Sequence, residues 1–217
     1  KDENELQHMM KTAFSCDRPA SVRYPRGISL GVPMDPVPQA LPMGKGELLR
    51  DGVDVAIVAI GVTVWQAVQA AERLAQEGIS AAVINGRFVK PLDSTLITEV
   101  AKRVRCLVTI EEGARMGGFG SAVLEALSDA GVTHLQTKVL GLPDWYIEQG
   151  PQDLLREKYG LTAEGIYQEA KALFERTIAS ESQQSSAESF RRARVDAPVA
   201  MGASGIHLRA DGDEQGS

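Results

Sequence analysis

The sequence predicts an α/β fold, a three-layer sandwich with helices on both faces of a mostly parallel sheet. Two observations carry this. Between residues 45 and 178, short apolar runs alternate with stretches whose apolar residues recur at helical spacing, and the loops between them are short. The runs are near-continuous in their apolar character, as in strands covered on both faces.

Each element follows from local pattern. Val53–Ile60 reads as the first strand of the block and ends at Gly61. Thr63 with Gln66 then has the spacing of a capping box, and Val64, Ala67, Val68, Ala71, Leu74 and Ala75 form an apolar stripe that closes at Gly78. Ala81–Ile84 is a second strand. Pro91 and Asp93 open a helix with Leu96, Ile97, Val100, Ala101 and Val104 facing inward. Cys106–Ile110 is a third strand and Ser121–Leu127 a third helix. Leu135–Leu140 is a fourth strand, and two amphipathic helices follow, over about 152–159 and 163–177.

Outside this block the pattern changes. Residues 1–27 read as a helix from about Glu3 to Phe14, with Leu6, Met9, Met10 and Ala13 at helical spacing, and then a short strand at Ala20–Tyr24. Such a pair cannot bury a core alone and calls for a partner. Residues 28–44 carry Gly31, Pro33, Pro36, Pro38, Pro42 and Gly44, the punctuation of a linker. Residues 179–217, rich in Ser, Gln, Glu, Ala, Arg and Gly, are expected to be a disordered tail, because too little apolar surface is present to offset conformational entropy. Its basic cluster Arg191-Arg192-Ala193-Arg194 reads as a solvated charge run before it reads as a docking motif. The chain opens on Lys1-Asp2-Glu3-Asn4 at a helix cap, which suggests a piece of something longer.

Bulk properties exclude several functions. A net charge of −6 over 217 residues argues against a nucleic-acid binder. No apolar run approaches the about 18 residues that span a bilayer, so no membrane role is expected. Cys16 and Cys106 have no CxxC spacing and read as two unrelated reduced thiols. His8, His134 and His207 are scattered, and no pair has metal-ligand spacing.

Four segments carry candidate chemistry. Arg23-Tyr24-Pro25-Arg26-Gly27 stands at the carboxyl end of a predicted strand, where open α/β sheets place ligands. Pro25 breaks the ladder and Gly27 permits a sharp turn, so Arg26 is projected outward; Arg23 faces the other side and is expected to ion-pair. Both can equally be ordinary surface arginines. The second segment, Glu111-Glu112-Gly113-Ala114-Arg115-Met116-Gly117-Gly118-Phe119-Gly120-Ser121, is a glycine-rich loop between a strand and a helix. That is the setting for phosphate at a helix amino terminus. It matches the dinucleotide fingerprint poorly, and a tight turn is the favoured reading; adjacent glutamates on one strand face opposite ways, which argues against an acid/base dyad. In the third, Arg87–Asp93, Asp93 reads as an N-cap, while Arg87 and Lys90 either bind an anion or are solvated. The fourth, Gly141–Gly150, exposes Trp145 and Tyr146 unless an intersubunit or interdomain contact covers them.

In order and spacing, Arg23–Gly27, Gly44-Lys45-Gly46, Arg87–Asp93, Glu111–Ser121, Gly141–Asp144 and Gln149-Gly150 together resemble the 1-deoxy-D-xylulose-5-phosphate synthase family of transketolase-like enzymes. The resemblance covers residues 1 to about 178 and implies that 1–27 end a pyrimidine-binding domain and 45–178 form a transketolase-type carboxy-terminal domain. It implies a transferase that uses thiamine diphosphate and magnesium to condense pyruvate with glyceraldehyde 3-phosphate, releasing carbon dioxide. The product would serve isoprenoid, thiamine and pyridoxal synthesis. The resemblance assigns Arg26 to the substrate phosphate and assigns no catalytic, cofactor-binding or metal-binding residue to this chain; those parts are expected upstream of Lys1. The fragment alone is expected to be inactive, and the complete enzyme to be a cytoplasmic homodimer, or plastidial in a photosynthetic eukaryote. The competing readings are the carboxy-terminal domain of a transketolase or of a pyruvate dehydrogenase beta subunit, and a non-catalytic nucleotide-binding or regulatory module.

Overall fold

The structure, a computed structural model, describes the backbone of residues 1–195 and the side chains of residues 1–183. The chain divides into two units, residues 1–179 and residues 180–217. In the first, the expected alternation appears: β2 (Val55–Ala59), α2 (Thr63–Gln76), β3 (Ala81–Asn85), α3 (Ser94–Ala101), β4 (Cys106–Ala114), α4 (Phe119–Asp129), β5 (Gln136–Leu142), α5 (Gln152–Lys158) and α6 (Ala163–Val195), of which residues 163–179 fall in this unit. They are preceded by α1 (Glu3–Ser15) and β1 (Glu47–Arg50).

Among the described residues one sheet forms, in the order β1-β3-β2-β4-β5, with every pair parallel except β1 against β3. Every residue of β2 and β3 is buried, as a strand covered on both sides must be. On one face Ile57, Val83 and Val108 pack with Leu74, Ile166 and Leu173 from α2 and α6. On the other, Val58, Ile84 and Leu107 pack with Ile97, Phe119 and Val123 from α3 and α4. Side chains alternate across the strands, so one strand feeds both cores. Asp93 caps α3 as expected, accepting from Leu96 N at 3.2 Å, and the same carboxylate accepts from Gly46 N at 3.0 Å.

Several local expectations do not hold. Thr63 and Gln66 form no capping box. Gly61, at φ 65°, turns the chain so that Thr63 lies inside the helix, with its hydroxyl within reach of Ile60 O (2.9 Å) and Ile110 O (3.2 Å). No strand forms at residues 20–24, because no neighbouring strand is present there to share backbone hydrogen bonds. The edge strand β1 has no signal of its own: Glu47–Arg50 is short and mixed, and it is a strand because β3 pairs with it. Where composition led us to expect no structure after residue 178, the backbone stays helical to Val195. Its Glu, Gln, Ala and Arg residues are good helix formers and extend a helix already nucleated from Ala163. Residues 196–217 of the expected tail lie outside the described residues, as do the side chains of Arg191–Arg194.

The linker is no free tether. The polar face of α1 binds it, with Glu3 accepting from Gly31 N (2.5 Å), Val32 N (2.8 Å) and Leu30 N (3.2 Å). Asn4 accepts from Asp35 N, His8 from Gln39 N at 2.9 Å, and Thr12 from Leu41 N at 2.7 Å. The linker is therefore a strap whose orphan amides are satisfied by one helix.

Candidate functional site

The parallel strands end at the rim where open α/β sheets take ligands, in the crevice between β2 and β4 at which the strand order reverses. In this chain that crevice is closed from within. Thr63, 1% exposed, has its hydroxyl within reach of Ile60 O, just past β2, and of Ile110 O within β4. The amino terminus of α4, the anion-binding candidate, is also filled. Glu111 reaches back with one carboxylate oxygen to Phe119 N at 2.9 Å and the other to Gly120 N at 2.8 Å, itself 3% exposed. A buried carboxylate on two helix-terminal amides satisfies the helix dipole that a phosphate would otherwise meet.

The glycines of this loop make room for the glutamate. A Cβ at Gly118 would lie 2.2 Å from Ala114 O and 2.5 Å from Glu111 Oε2, and one at Gly113 would lie 2.6 Å from Glu111 Oε2. The loop is thus the tight turn that the sequence favoured, built around its own anion. Glu112 points the other way and pairs with Arg156 Nε of α5 at 2.6 Å, so the two glutamates never approach as a dyad.

Arg87 is also committed. At φ 52° it sits at the end of β3 and turns its guanidinium inward, Nε to Glu5 Oε1 at 2.7 Å and Nη2 to Glu47 Oε2 at 2.9 Å. Lys1 Nζ completes the cluster on Glu47 at 2.9 Å, and Asn85 Nδ2 donates to Glu5 at 2.8 Å. Burial pushes the Glu5 carboxyl up, while the Arg87 guanidinium and the Lys1 ammonium beside it hold it below the usual carboxylate range. A groove of about 520 Å³ lies over this cluster, lined by Glu5, His8, Val32, Trp65 and Arg87, and the charges in it are already paired. Arg87 is a structural ion-pair residue joining α1 to the sheet. Lys90 remains exposed.

Arg23 lies beside the carboxyl end of β4 and Arg26 against α5. Arg23 Nη2 stands 3.4 Å from where a Gly113 Cβ would be, so the guanidinium rests on the loop that Glu111 organises. The Arg26 carbonyl accepts from Gln152 Nε2 of α5 at 2.7 Å. Its guanidinium is exposed and makes no ion pair among the described residues. The sequence reading missed the roles that Glu111, Thr63 and Gln152 play. The only advance signal was at Glu111, an acid placed before a Gly-rich helix start.

The other candidates resolve simply. Trp145 and Tyr146 are exposed at 67% and 102% in a loop held by Glu148, whose carboxyl Lys158 and Tyr159 keep at about 2. His134 is exposed, and His8 holds the strap rather than any substrate. Cys16 is partly buried and Cys106 buried, and among the described residues no group of three His, Cys, Asp or Glu side chains is placed to hold a metal. With the α4 terminus taken by Glu111, the described residues do not fit a diphosphate–metal group, and no step is assigned through one.

Comparison with known proteins places this arrangement in a family. Residues 44–166 match the family described as transketolase, C-terminal domain. 1-Deoxy-D-xylulose-5-phosphate synthase 1 of Geobacter sulfurreducens is 55% identical over 166 residues, which covers 76% of this chain and 26% of that protein. The 1-deoxy-D-xylulose-5-phosphate synthase of Heliobacterium modesticaldum is 51% identical over 173 residues, covering 80% of this chain and 27% of that protein. A solved structure described as a split gene transketolase, inactive beta4 tetramer, superposes with a TM-score of 0.65 at 33% identity, over 79% of this chain and 55% of that one. The chain spans about a quarter of the length of the curated relatives it matches. It belongs to the transketolase carboxy-terminal domain family.

Proposed function

We propose that this chain is the carboxy-terminal part of a 1-deoxy-D-xylulose-5-phosphate synthase, a thiamine-diphosphate- and magnesium-dependent transferase that joins pyruvate to glyceraldehyde 3-phosphate with loss of carbon dioxide. The observation that carries the reading is 55% identity over 166 residues to a protein of that name. The site geometry is in keeping with it. Both generic ligand positions of the sheet are filled from within, by Thr63 and Glu111, while the exposed Arg26 guanidinium makes no ion pair among the described residues. The chemistry then belongs to the rest of the enzyme, and this chain contributes scaffold and one cation. The cofactor supplies the electron sink for decarboxylation.

Arg26 is the residue we assign to the acceptor phosphate. A guanidinium is charged at all relevant pH and binds phosphate bidentately. Residues 1–27 are read as the end of a pyrimidine-binding domain, and Trp145 with Tyr146 as part of a contact between subunits or domains of a homodimer. The test is Arg26→Ala in the complete synthase. Losing one charge-assisted bidentate contact costs about 2–3 kcal/mol, or roughly 30- to 200-fold in kcat/KM for glyceraldehyde 3-phosphate. Pyruvate, which has no phosphate, should be spared. Equal loss for both substrates would remove Arg26 from the acceptor site.

A further inference from the structure

We infer that Gln152 is a positioning residue for Arg26: its side-chain amide grips the Arg26–Gly27 peptide and thereby aims the guanidinium. The inference rests on the assignment of Arg26 to the acceptor phosphate. Gln152 Nε2 donates to Arg26 O at 2.7 Å, and Gln152 Oε1 lies 3.1 Å from where a Cβ on Gly27 would be. The amide thus lies along one peptide, and a side chain at 27 would push it back by a few tenths of an ångström.

The grip has something firm behind it. Gln152 opens α5, and one turn later Arg156 is paired to Glu112 of β4 at 2.6 Å and to Asp153 at 3.3 Å. The next residue of β4, Gly113, is the shelf for Arg23. The arginine segment has no strand to hold it, since residues 20–27 pair with no neighbour among the described residues. It is held by the Gln152 hydrogen bond to the Arg26 carbonyl, with the Arg23 guanidinium lying near Gly113 of β4. That leaves the Arg26 side chain as the free end. An exposed long side chain has considerable rotational freedom, and fixing its backbone reduces what phosphate binding must order.

The hydrogen bond is solvent-exposed, so water competes for both partners once it is lost and the effect is modest. Two readouts test the role. In this chain, Gln152→Ala and Gln152→Glu should each lower the heteronuclear NOE of the Arg26 and Gly27 amides while leaving Val108 and Leu140 of the sheet unchanged. The glutamate keeps the shape but has no N–H to donate. In the complete synthase, both variants should raise KM for glyceraldehyde 3-phosphate about 3- to 10-fold, with pyruvate KM and kcat unchanged, and should add nothing to Arg26→Ala. Unaltered Arg26 order, a Gln152→Glu variant that behaves as wild type, or a matched rise in both KM values would each overturn the inference. If Arg26→Ala itself spares the acceptor, the functional reading falls. If Arg26→Ala shows the acceptor defect and Gln152→Ala does not, only the positioning role falls.

Discussion

Glu111 shows how one side chain decides what a motif can do. A glycine-rich turn opening a helix is a general anion site, and here the anion is supplied by the preceding strand. Removing it should destabilise more than an ordinary surface change, because two buried N–H groups lose their partner. We expect Glu111→Ala to cost about 2–4 kcal/mol, a fall of roughly 5–15 °C in the thermal melt of this chain. Glu111→Gln, which keeps one carbonyl acceptor, should lose about half as much. A melt of Glu111→Ala superimposable on wild type would show that the carboxylate does not hold α4. Arg87 teaches the complementary point. Its sequence context, a lone cation beyond a strand, reads the same whether it awaits an anion or already has one, and Glu5 settles the matter from 82 positions away.

At the scale of elements, α1 and the strap are the informative pair. The apolar residues Leu6, Met9, Met10 and Ala13 stay partly exposed, whereas Glu5, His8 and Thr12 are the ones buried. The helix therefore spends its polar face on its own chain and presents its apolar face outward. In the strap, Gly31 N, Val32 N and Leu41 N depend on Glu3 and Thr12. Glu3→Ala and Thr12→Ala should each open the strap to protease between residues 28 and 41, with the sheet core cut no faster than in wild type. Uniform acceleration at every site would indicate global destabilisation instead. The proline and glycine spacing marked this segment as non-regular, but a binding partner for each amide depends on distant side chains that local spacing does not contain.

For the whole molecule, the family reading and the filled ligand positions lead to one expectation about activity. Purified chain given pyruvate, glyceraldehyde 3-phosphate, thiamine diphosphate and magnesium should form no product above an enzyme-free control. Measurable turnover would mean that the chain carries chemistry assigned here to the rest of the enzyme. Limited proteolysis should trim the same material to a core ending near residue 178. The first unit closes at Ala179, and residues beyond it have no apolar stripe in their sequence with which to join either core. Hydrogen-exchange protection across residues 180–217 as strong as that of the sheet would contradict this boundary.

The α/β alternation, the parallel sheet with both faces covered, the Asp93 cap and the opposed directions of Glu111 and Glu112 were all determined by the sequence alone. Each is written in local periodicity or in the alternation of one strand, and buried parallel strands leave the clearest such record. Tertiary structure alone decided that β1 is a strand, that Thr63 closes the crevice and does not cap its helix, that Glu111 is the helix's own anion, and that Arg87 is paired while Arg26 has no ion-pair partner among the described residues. These outcomes depend on which groups meet across the fold. A carboxylate or guanidinium has the same sequence signature with or without a partner, and only the packing of distant segments determines whether its charge is already answered.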